Sequence, residues 1–121
     1  MLAIVVSTVA GFAISATYYS VAPATAAHDG AAPEPSPVVV AMVELCRSAA
    51  VAVLIAVLMS AANWVTPTEG ALLGAGLWTL PVVLLIGSVV HESTPWRSAA
   101  VHAGDWLVKL VALGAIIGWL N

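Results

Sequence analysis

Four long apolar runs, separated by short polar breaks and one longer linker, constrain the fold of this chain more than any other feature. The runs cover about residues 1–22, 37–63, 67–91 and 95–120. Each exceeds the roughly 20 apolar residues that cross the hydrocarbon core of a bilayer as a helix. Lipid offers a spanning backbone no hydrogen bonds, so such a segment must bond within itself as a helix or join a closed barrel. The sequence therefore predicts an all-α membrane protein with four transmembrane helices in an antiparallel bundle.

Composition and charge exclude several other classes. Charged residues make up 7% of the 121 residues, against roughly 25% in soluble domains, so a water-soluble globule is excluded. The formal net charge is −3 with only three Lys and Arg residues, and a phosphate backbone would find no basic surface. We therefore expect no nucleic-acid partner. The single cysteine, Cys46, excludes an internal disulfide and a cysteine-based metal cluster.

Ser/Thr-Pro pairs stand before the last three apolar runs and mark helix starts. They are Ser36-Pro37, Thr66-Pro67 and Thr94-Pro95. The hydroxyl accepts a hydrogen bond from the first helical turn, where proline has no N–H to leave unpaired. Thr66 with Glu69 three residues later also predicts a capping box. Pro81, midway along the third run, is expected to kink its helix.

The chain is predicted to be a single four-helix domain over residues 1–121, with one long polar linker at residues 23–36. The two later links are so short that the last three helices must be antiparallel neighbours. The stretch Ala24-Thr25-Ala26-Ala27 resembles a signal-peptide cleavage site. However, no Lys or Arg precedes the first apolar run, and that run is longer than a signal core. We therefore expect the first helix to be retained.

Small residues recur at every fourth position on three helices. Such residues let helix backbones approach closely in lipid, where no hydrophobic force draws helices together. These positions are Ser7, Gly11 and Ser15 in the first helix, Gly70 and Gly74 in the third, and Gly114 and Gly118 in the fourth. They could pack the bundle internally or form a self-association face, and with four helices in one chain we favour internal packing.

Ionisable residues deep in the last helix are the most informative polar positions. Asp105 and Lys109 lie one turn apart and can pair. Each costs about 2.5–3.5 kcal/mol at the bilayer centre, which nearly cancels the gain from the apolar residues of the helix. The helix would insert only marginally alone. We therefore expect the stripe of His102, Asp105 and Lys109 to face the bundle interior or another subunit.

Glu44 and Arg47 form a second charge pair, three residues apart on the second helix. Two interpretations remain open. Intramembrane ionisable groups often mark proton or ion pathways, so the charged residues could form a relay. Alternatively the pairs only neutralise each other or dock the helices. We favour structural pairing because each acid has a basic partner one helical turn away.

Catalytic and metal-binding patterns are weak. His91, Glu92 and His102 lie near one helix turn, but their spacing matches no established zinc pattern. The serines stand in no nucleophile-elbow context, and no glycine-rich phosphate loop occurs. We therefore expect no metal, no cofactor and no enzymatic activity. A membrane enzyme acting on lipid would rest on His91 and Glu92 alone.

Two segments carry a family resemblance. They are Phe12-Ala13-Ile14-Ser15-Ala16-Thr17-Tyr18-Tyr19-Ser20 and Val101-His102-Ala103-Gly104-Asp105-Trp106-Leu107-Val108, the latter followed by Gly114-Ala115-Ile116-Ile117. The chain resembles the bacterial membrane family of domain of unknown function 1761 over essentially its whole length. The resemblance implies a four-helix inner-membrane protein without an established activity. It also implies departures: the family usually has Asn at His102, Tyr at Asp105, an uncharged residue at Lys109 and proline at Val21.

Charge placement predicts an orientation. Arg47 and Arg97 favour cytoplasmic loops at 23–36 and 92–94, with both termini outside. The resulting functional expectation is a non-enzymatic protein of the bacterial inner membrane, embedded in the lipid bilayer as a homo-oligomer or as an accessory subunit of a larger membrane complex. The alternative is a small proton-coupled transporter or exporter that uses membrane-embedded Asp105. The first helix, where small four-helix exporters place their essential carboxylate, has no acid here.

Overall fold

A computed structural model describes residues 1–22 and 35–120. The helices are α1 (Leu2–Val21), α2 (Pro37–Ala62), α3 (Pro67–Leu77), α4 (Thr79–His91) and α5 (Trp96–Leu120), and the described residues include no strand. Four spans are long and apolar enough to cross a membrane, and α3 and α4 together make one of them. The all-α, four-span fold class is confirmed. Most of the predicted linker and the cleavage-like stretch at 24–27 lie outside the described residues.

Side-chain caps fix the starts of α2 and α3. The Ser36 hydroxyl accepts a hydrogen bond from the Val39 N–H at 3.4 Å. At α3 both halves of the capping box are present: the Thr66 hydroxyl accepts from the Glu69 N–H, and the Glu69 carboxylate accepts from the Thr66 N–H at 2.9 Å. These bonds satisfy amide groups that a first helical turn leaves open.

The third span is interrupted at Trp78, three residues before the proline that was expected to kink it. Pro81 has no N–H to donate to the Leu77 carbonyl, and its ring crowds that carbonyl. The helical ladder therefore loosens on the N-terminal side of the proline, where the kinked span predicted over residues 67–91 divides into α3 and α4. The Trp78 indole N–H donates to the Ala103 carbonyl at 2.7 Å and ties this break to α5.

Tight turns join the last three spans. Asn63 ends α2 in the left-handed conformation, with φ 56°. The Trp64 N–H then bonds back to the Met59 carbonyl at 2.8 Å, as in a Schellman motif. Ser93 takes the same left-handed φ of 56° between α4 and α5. Both turns reverse the chain within a few residues, which makes these spans antiparallel.

The centre of the bundle is α5, which contacts each of the other four helices. Its backbone touches that of α3: a Cβ added to Gly70 would overlap the Gly114 carbonyl, and one added to Gly74 would overlap the Leu110 carbonyl. Next to this contact, fully buried side chains fill the interior of the bundle. They are Ile55, Met59, Leu113 and Ile117.

The small-residue stripe of α1 also lies at a contact within the chain. Ser7, Gly11 and Ser15 are all buried, and α1 packs against α2 and α5. A Cβ on Gly11 would stand 3.0 Å from the Ser48 hydroxyl of α2. Gly118 likewise lies against the Thr66 carbonyl at the start of α3. The structure thus places every predicted small-residue stripe between helices of one chain.

Candidate functional site

Polar side chains from three helices meet in the half of the bundle that contains the C-terminal end of α1 and the N-terminal ends of α2 and α5. We call this group the polar cluster. Its members are Ser15 and Tyr19 of α1, Glu44 and Arg47 of α2, and His102, Asp105 and Lys109 of α5. At 1.5 Å per residue, Glu44 lies about 10 Å from the start of α2 and Asp105 about 14 Å from the start of α5. The cluster therefore reaches from one interface toward the bilayer centre.

Asp105 is the most enclosed acid of the cluster, with 0% of its surface exposed. One carboxylate oxygen accepts a hydrogen bond from the Ser15 hydroxyl at 2.6 Å. The other lies 3.5 Å from the Lys109 ammonium and 3.5 Å from the Tyr19 hydroxyl. Both oxygens thus face donors, two of which come from α1. A buried carboxylate requires partners of this kind.

Lys109 joins α5 to α2. Its ammonium, 1% exposed, forms an ion pair with Glu44 of α2 in addition to its approach to Asp105. The other Glu44 oxygen accepts a hydrogen bond from the Arg47 guanidinium at 3.1 Å. The two charge pairs of the sequence are therefore one network of two carboxylates and two cations, with no net charge when His102 is neutral.

Trp106 provides an aromatic wall beside the cations. The Arg47 guanidinium carbon lies 4.8 Å from the centre of the indole ring, and the Lys109 ammonium lies 5.4 Å from it. Cations within about 6 Å of an indole face are attracted by its quadrupole. Trp106 therefore helps hold both cations at a depth where lipid would otherwise surround them.

The network continues toward the interface through Tyr19 and His102. The Tyr19 oxygen lies 2.6 Å from His102 Nδ1. Since Tyr19 also approaches Asp105, a chain of hydrogen-bonding groups runs from His102 through Tyr19 to Asp105 and on to Lys109 and Glu44. This chain places five titratable side chains within hydrogen-bond or ion-pair distance of one another.

Among the described residues, a groove between α1 and α2 borders the cluster. This α1–α2 groove encloses about 490 Å³ and has Pro35 and Pro37 among its lining residues. Apolar side chains of both helices form much of its wall, and Tyr19, Glu44, Arg47 and His102 also line it. Beyond Lys109 the bundle interior is packed with Ile55, Met59 and Leu113, each 0% exposed. The groove thus reaches the cluster, and tight apolar packing lies beyond it.

Sequence reasoning found the charged members of the cluster but not their connection. The helical spacing of Asp105 and Lys109 predicts their approach, and that of Glu44 and Arg47 predicts their pair. Nothing in the sequence aligns Glu44 with Lys109, which are 65 positions apart. The small-residue stripe predicts only a packing role for Ser15, and no role in a polar site is predicted for Tyr19, although both contact Asp105. Their position one turn apart on α1 was the available signal.

The other candidate residues do not assemble into a site. His91 and Glu92 are exposed at the turn between α4 and α5. Among residues 1–22 and 35–120, no group of three or more His, Cys, Asp or Glu side chains is placed to hold a metal ion. Of the candidate residues in the described ranges, those of the polar cluster are the ones that the fold brings together.

Comparison with known families places the chain. The family described as "Protein of unknown function (DUF1761)" matches residues 2–118. The chain belongs to this family. The DUF1761 match includes α1 to α4, all but the last two residues of α5, the polar cluster and the groove, and its description assigns no activity. No curated protein and no solved structure matches the chain. The protein is a multi-pass membrane protein of the DUF1761 family, and its function must be argued from its geometry.

Proposed function

We propose that this protein is a non-enzymatic component of the bacterial cytoplasmic membrane, acting as a homo-oligomer or as an accessory subunit of a larger membrane complex. The observation that carries the proposal is the surface of α4. None of its 13 residues is buried, whereas α5 buries residues along most of its length. Helices in lipid associate through close packing, and α4 has little of it within the chain.

Clefts on both sides of α4 support this assignment. One, of about 310 Å³, lies between α4 and α5 and includes Val82, Val89 and Ala100 in its lining. The other, of about 370 Å³, lies on the side facing α2 and is lined by residues such as Leu54 and Leu84. A helix from a second copy or from another membrane subunit would fill these clefts with apolar side chains.

The polar cluster is satisfied without a partner. Asp105 and Lys109 find their counterparts on α1 and α2 of the same chain, so the marginal insertion of the last helix is compensated internally. Of the two environments expected for this stripe, the bundle interior supplies these partners, so we propose no subunit contact through the charges. We propose instead that the contact between subunits lies on α4, near whose centre Leu84 is 72% exposed.

Mass and cross-linking test the subunit proposal. The protein is purified in mild detergent and its mass measured, and cysteines are introduced in a Cys46→Ser background. We expect a mass above that of the 12.3 kDa monomer and an oxidative dimer, or a cross-link to a co-purifying subunit, with Leu84→Cys. Val57→Cys, at a residue of α2 that is 59% exposed, should remain uncross-linked. A lone monomer, or equal cross-linking at both positions, contradicts the proposal.

A second candidate function is a small proton-coupled carrier. It is favoured by the groove, which brings Glu44 and His102 to an opening while Asp105 stays enclosed behind them. Buried ionic groups are costly, and membrane proteins that carry them often use them to move protons. A carrier would load its proton and solute from the groove.

Proteoliposomes with a trapped pH-sensitive dye test the carrier. A panel of small organic acids, bases and neutral solutes is added outside, and the internal pH is followed. We expect at least one solute to change the internal pH with the native protein and not with Asp105→Asn of normal chromatographic profile. No response to any solute contradicts the carrier and leaves the subunit proposal standing.

A further inference from the structure

We propose that the α1–α2 groove binds a small monovalent organic anion with an apolar body, held at its charged end by Arg47. The inference rests on the carrier proposal, for which it names the substrate class. Three properties of the groove support the proposal: its size and walls, the free hydrogen-bond donors at its polar end, and the ion pairs of the cluster behind it.

The groove has the dimensions and walls of a small-molecule site. Its volume of about 490 Å³ falls within the roughly 300–1,000 Å³ of ligand pockets, which are mostly apolar with a few placed polar groups. Phe12, Val40 and Ala41 contribute apolar wall, and Arg47 and His102 contribute polar groups. Such a lining suits a molecule with a flat or short apolar body and one polar end.

At the polar end of the groove, the hydrogen-bonding groups that still lack partners among the described residues are donors. Both Glu44 oxygens are occupied, one by Arg47 and the other by Lys109 with Ser48 nearby. The Arg47 side chain is 41% exposed, and within the described ranges its guanidinium donates one hydrogen bond, to Glu44. A guanidinium carries five N–H donors. The groove therefore offers donors to a ligand, which is what a carboxylate or another oxyanion requires.

His102 can supply a second donor from α5. When its Nδ1 accepts the Tyr19 hydroxyl, the ring carries its proton on Nε2. His102 lines the groove together with Arg47. An anion bound there would thus meet donors from two helices that pack against α1, the helix that forms the opposite wall.

The ion pairs of the cluster disfavour a cationic ligand. A cationic ligand would have to take Glu44 from Lys109 or Arg47 and leave a cation at depth without its partner. Removing one partner of a buried ion pair is strongly unfavourable. An anion can add to the exposed face of Arg47 while the Arg47–Glu44 bond stays in place. The structure therefore favours an anion over a cation of the same shape.

Binding of three probes with one ring system tests the charge. Isothermal titration calorimetry on the purified full chain in neutral detergent compares 1-naphthoate, 1-naphthylmethylamine and 1-naphthalenemethanol, each corrected for binding to empty micelles. We expect naphthoate to bind about tenfold or more tightly than the other two, the worth of a charge-assisted hydrogen bond. Equal affinity for the three probes, or tighter binding of the amine, overturns the proposal.

Matched arginine variants test the residue. Arg47→Gln should weaken naphthoate binding by about tenfold or more, as expected for losing a charge-assisted hydrogen bond. Arg97→Gln, which removes the exposed arginine at the start of α5, should leave the affinity unchanged. Equal affinity in both variants overturns the assignment of Arg47.

A groove-filling variant tests the binding site without changing Arg47, and it can be used if Arg47→Gln fails to fold. Ala41→Phe fills the groove and leaves Arg47 and its partner in place, so naphthoate binding should be lost while the chromatographic profile is retained. Unchanged affinity in a folded Ala41→Phe protein overturns the site.

Naphthoate-driven pH change in the proteoliposomes separates this proposal from the carrier. Binding without flux supports the anion site and overturns the carrier. Flux that follows the amine instead of naphthoate supports the carrier and overturns the anion site.

Discussion

At the scale of single residues, the cluster depends on matched charges. Glu44 and Asp105 share Lys109, and Arg47 holds the second oxygen of Glu44. Any single charge removed from this group leaves an unbalanced charge in surroundings of low dielectric. The cluster should therefore tolerate the loss of an opposite pair better than the loss of one member.

Replacing Lys109 tests this dependence. Lys109→Leu leaves Asp105 without a cationic partner and Glu44 with Arg47 as its only one, and we expect the free energy of unfolding to fall by about 3–5 kcal/mol. Adding Asp105→Asn removes the excess negative charge and should restore part of that loss. Unfolding in mixed micelles with increasing sodium dodecyl sulfate measures both variants. Additive losses in the double variant would show that the charges act independently.

Two buried serines on the same face of α1 make a matched pair. The Ser15 hydroxyl donates to Asp105 at 2.6 Å, whereas the buried Ser7 hydroxyl has no hydrogen-bond partner among the described residues. Ser15→Ala should lower the free energy of unfolding by about 1.5–3 kcal/mol, the range for hydrogen bonds to charged groups. Ser7→Ala should be neutral or slightly stabilising. The same micelle titration measures the two changes, and equal losses would contradict the assignment.

The sequence predicted contacts within a helix and missed those between helices. Asp105 and Lys109 follow from a spacing of four, because the period of a helix fixes which positions share a face. The contact of Ser15 with Asp105 joins positions 90 apart. It depends on the axial position and the rotation of α1 relative to α5. Side-chain packing between the two helices determines both, and the spacing of residues within one helix does not predict them.

At the scale of helices, the closest contact is the one between the backbones of α3 and α5. Gly70 and Gly114 each stand where a Cβ would overlap the other's carbonyl. Both GxxxG segments were predicted as packing positions, but their mutual register was not, because each repeat alone fits many partners. The interruption at Trp78 was likewise only half predicted: Pro81 indicates a kink, whereas the exact place depends on neighbouring contacts.

A glycine comparison tests the backbone contact. Gly114→Ala should separate α3 from α5 and lower the free energy of unfolding by about 1–3 kcal/mol, as in other overpacked contacts. Gly76→Ala, where an added Cβ meets nothing within 4 Å, should instead stabilise its helix by up to about 1 kcal/mol. Thermal unfolding followed by circular dichroism measures both. Similar effects at the two positions would contradict the close approach.

At the scale of the whole molecule, four crossings of a membrane would put Leu2 and Leu120 on the same side of it. The groove, the polar cluster and the turn after α4 belong to the opposite half of the bundle. With Arg97 next to that turn and the positive-inside tendency, the groove is proposed to open toward the cytoplasm. If the protein is a carrier, this structure is then the conformation that takes up its solute from the cytoplasmic side.

Cysteine labelling measures the orientation. In a Cys46→Ser background, Glu92→Cys and Val65→Cys place thiols at exposed turns on the two sides of the membrane. We expect a membrane-impermeant maleimide added to intact spheroplasts to label Val65→Cys and to reach Glu92→Cys only after lysis. The reverse pattern would invert the topology, and labelling of both positions in intact cells would indicate dual insertion.

The contact between Lys109 and Glu44 also bears on how α5 enters the membrane. Of the described helices, α5 leaves the ribosome last, and its acid and base are what make its entry into lipid marginal. Ser15, Tyr19 and Glu44 are synthesised before α5, so the partners of Asp105 and Lys109 can already be present when α5 inserts. A chain lacking α1 and α2 would expose α5 to the quality-control proteases of the membrane before it could integrate.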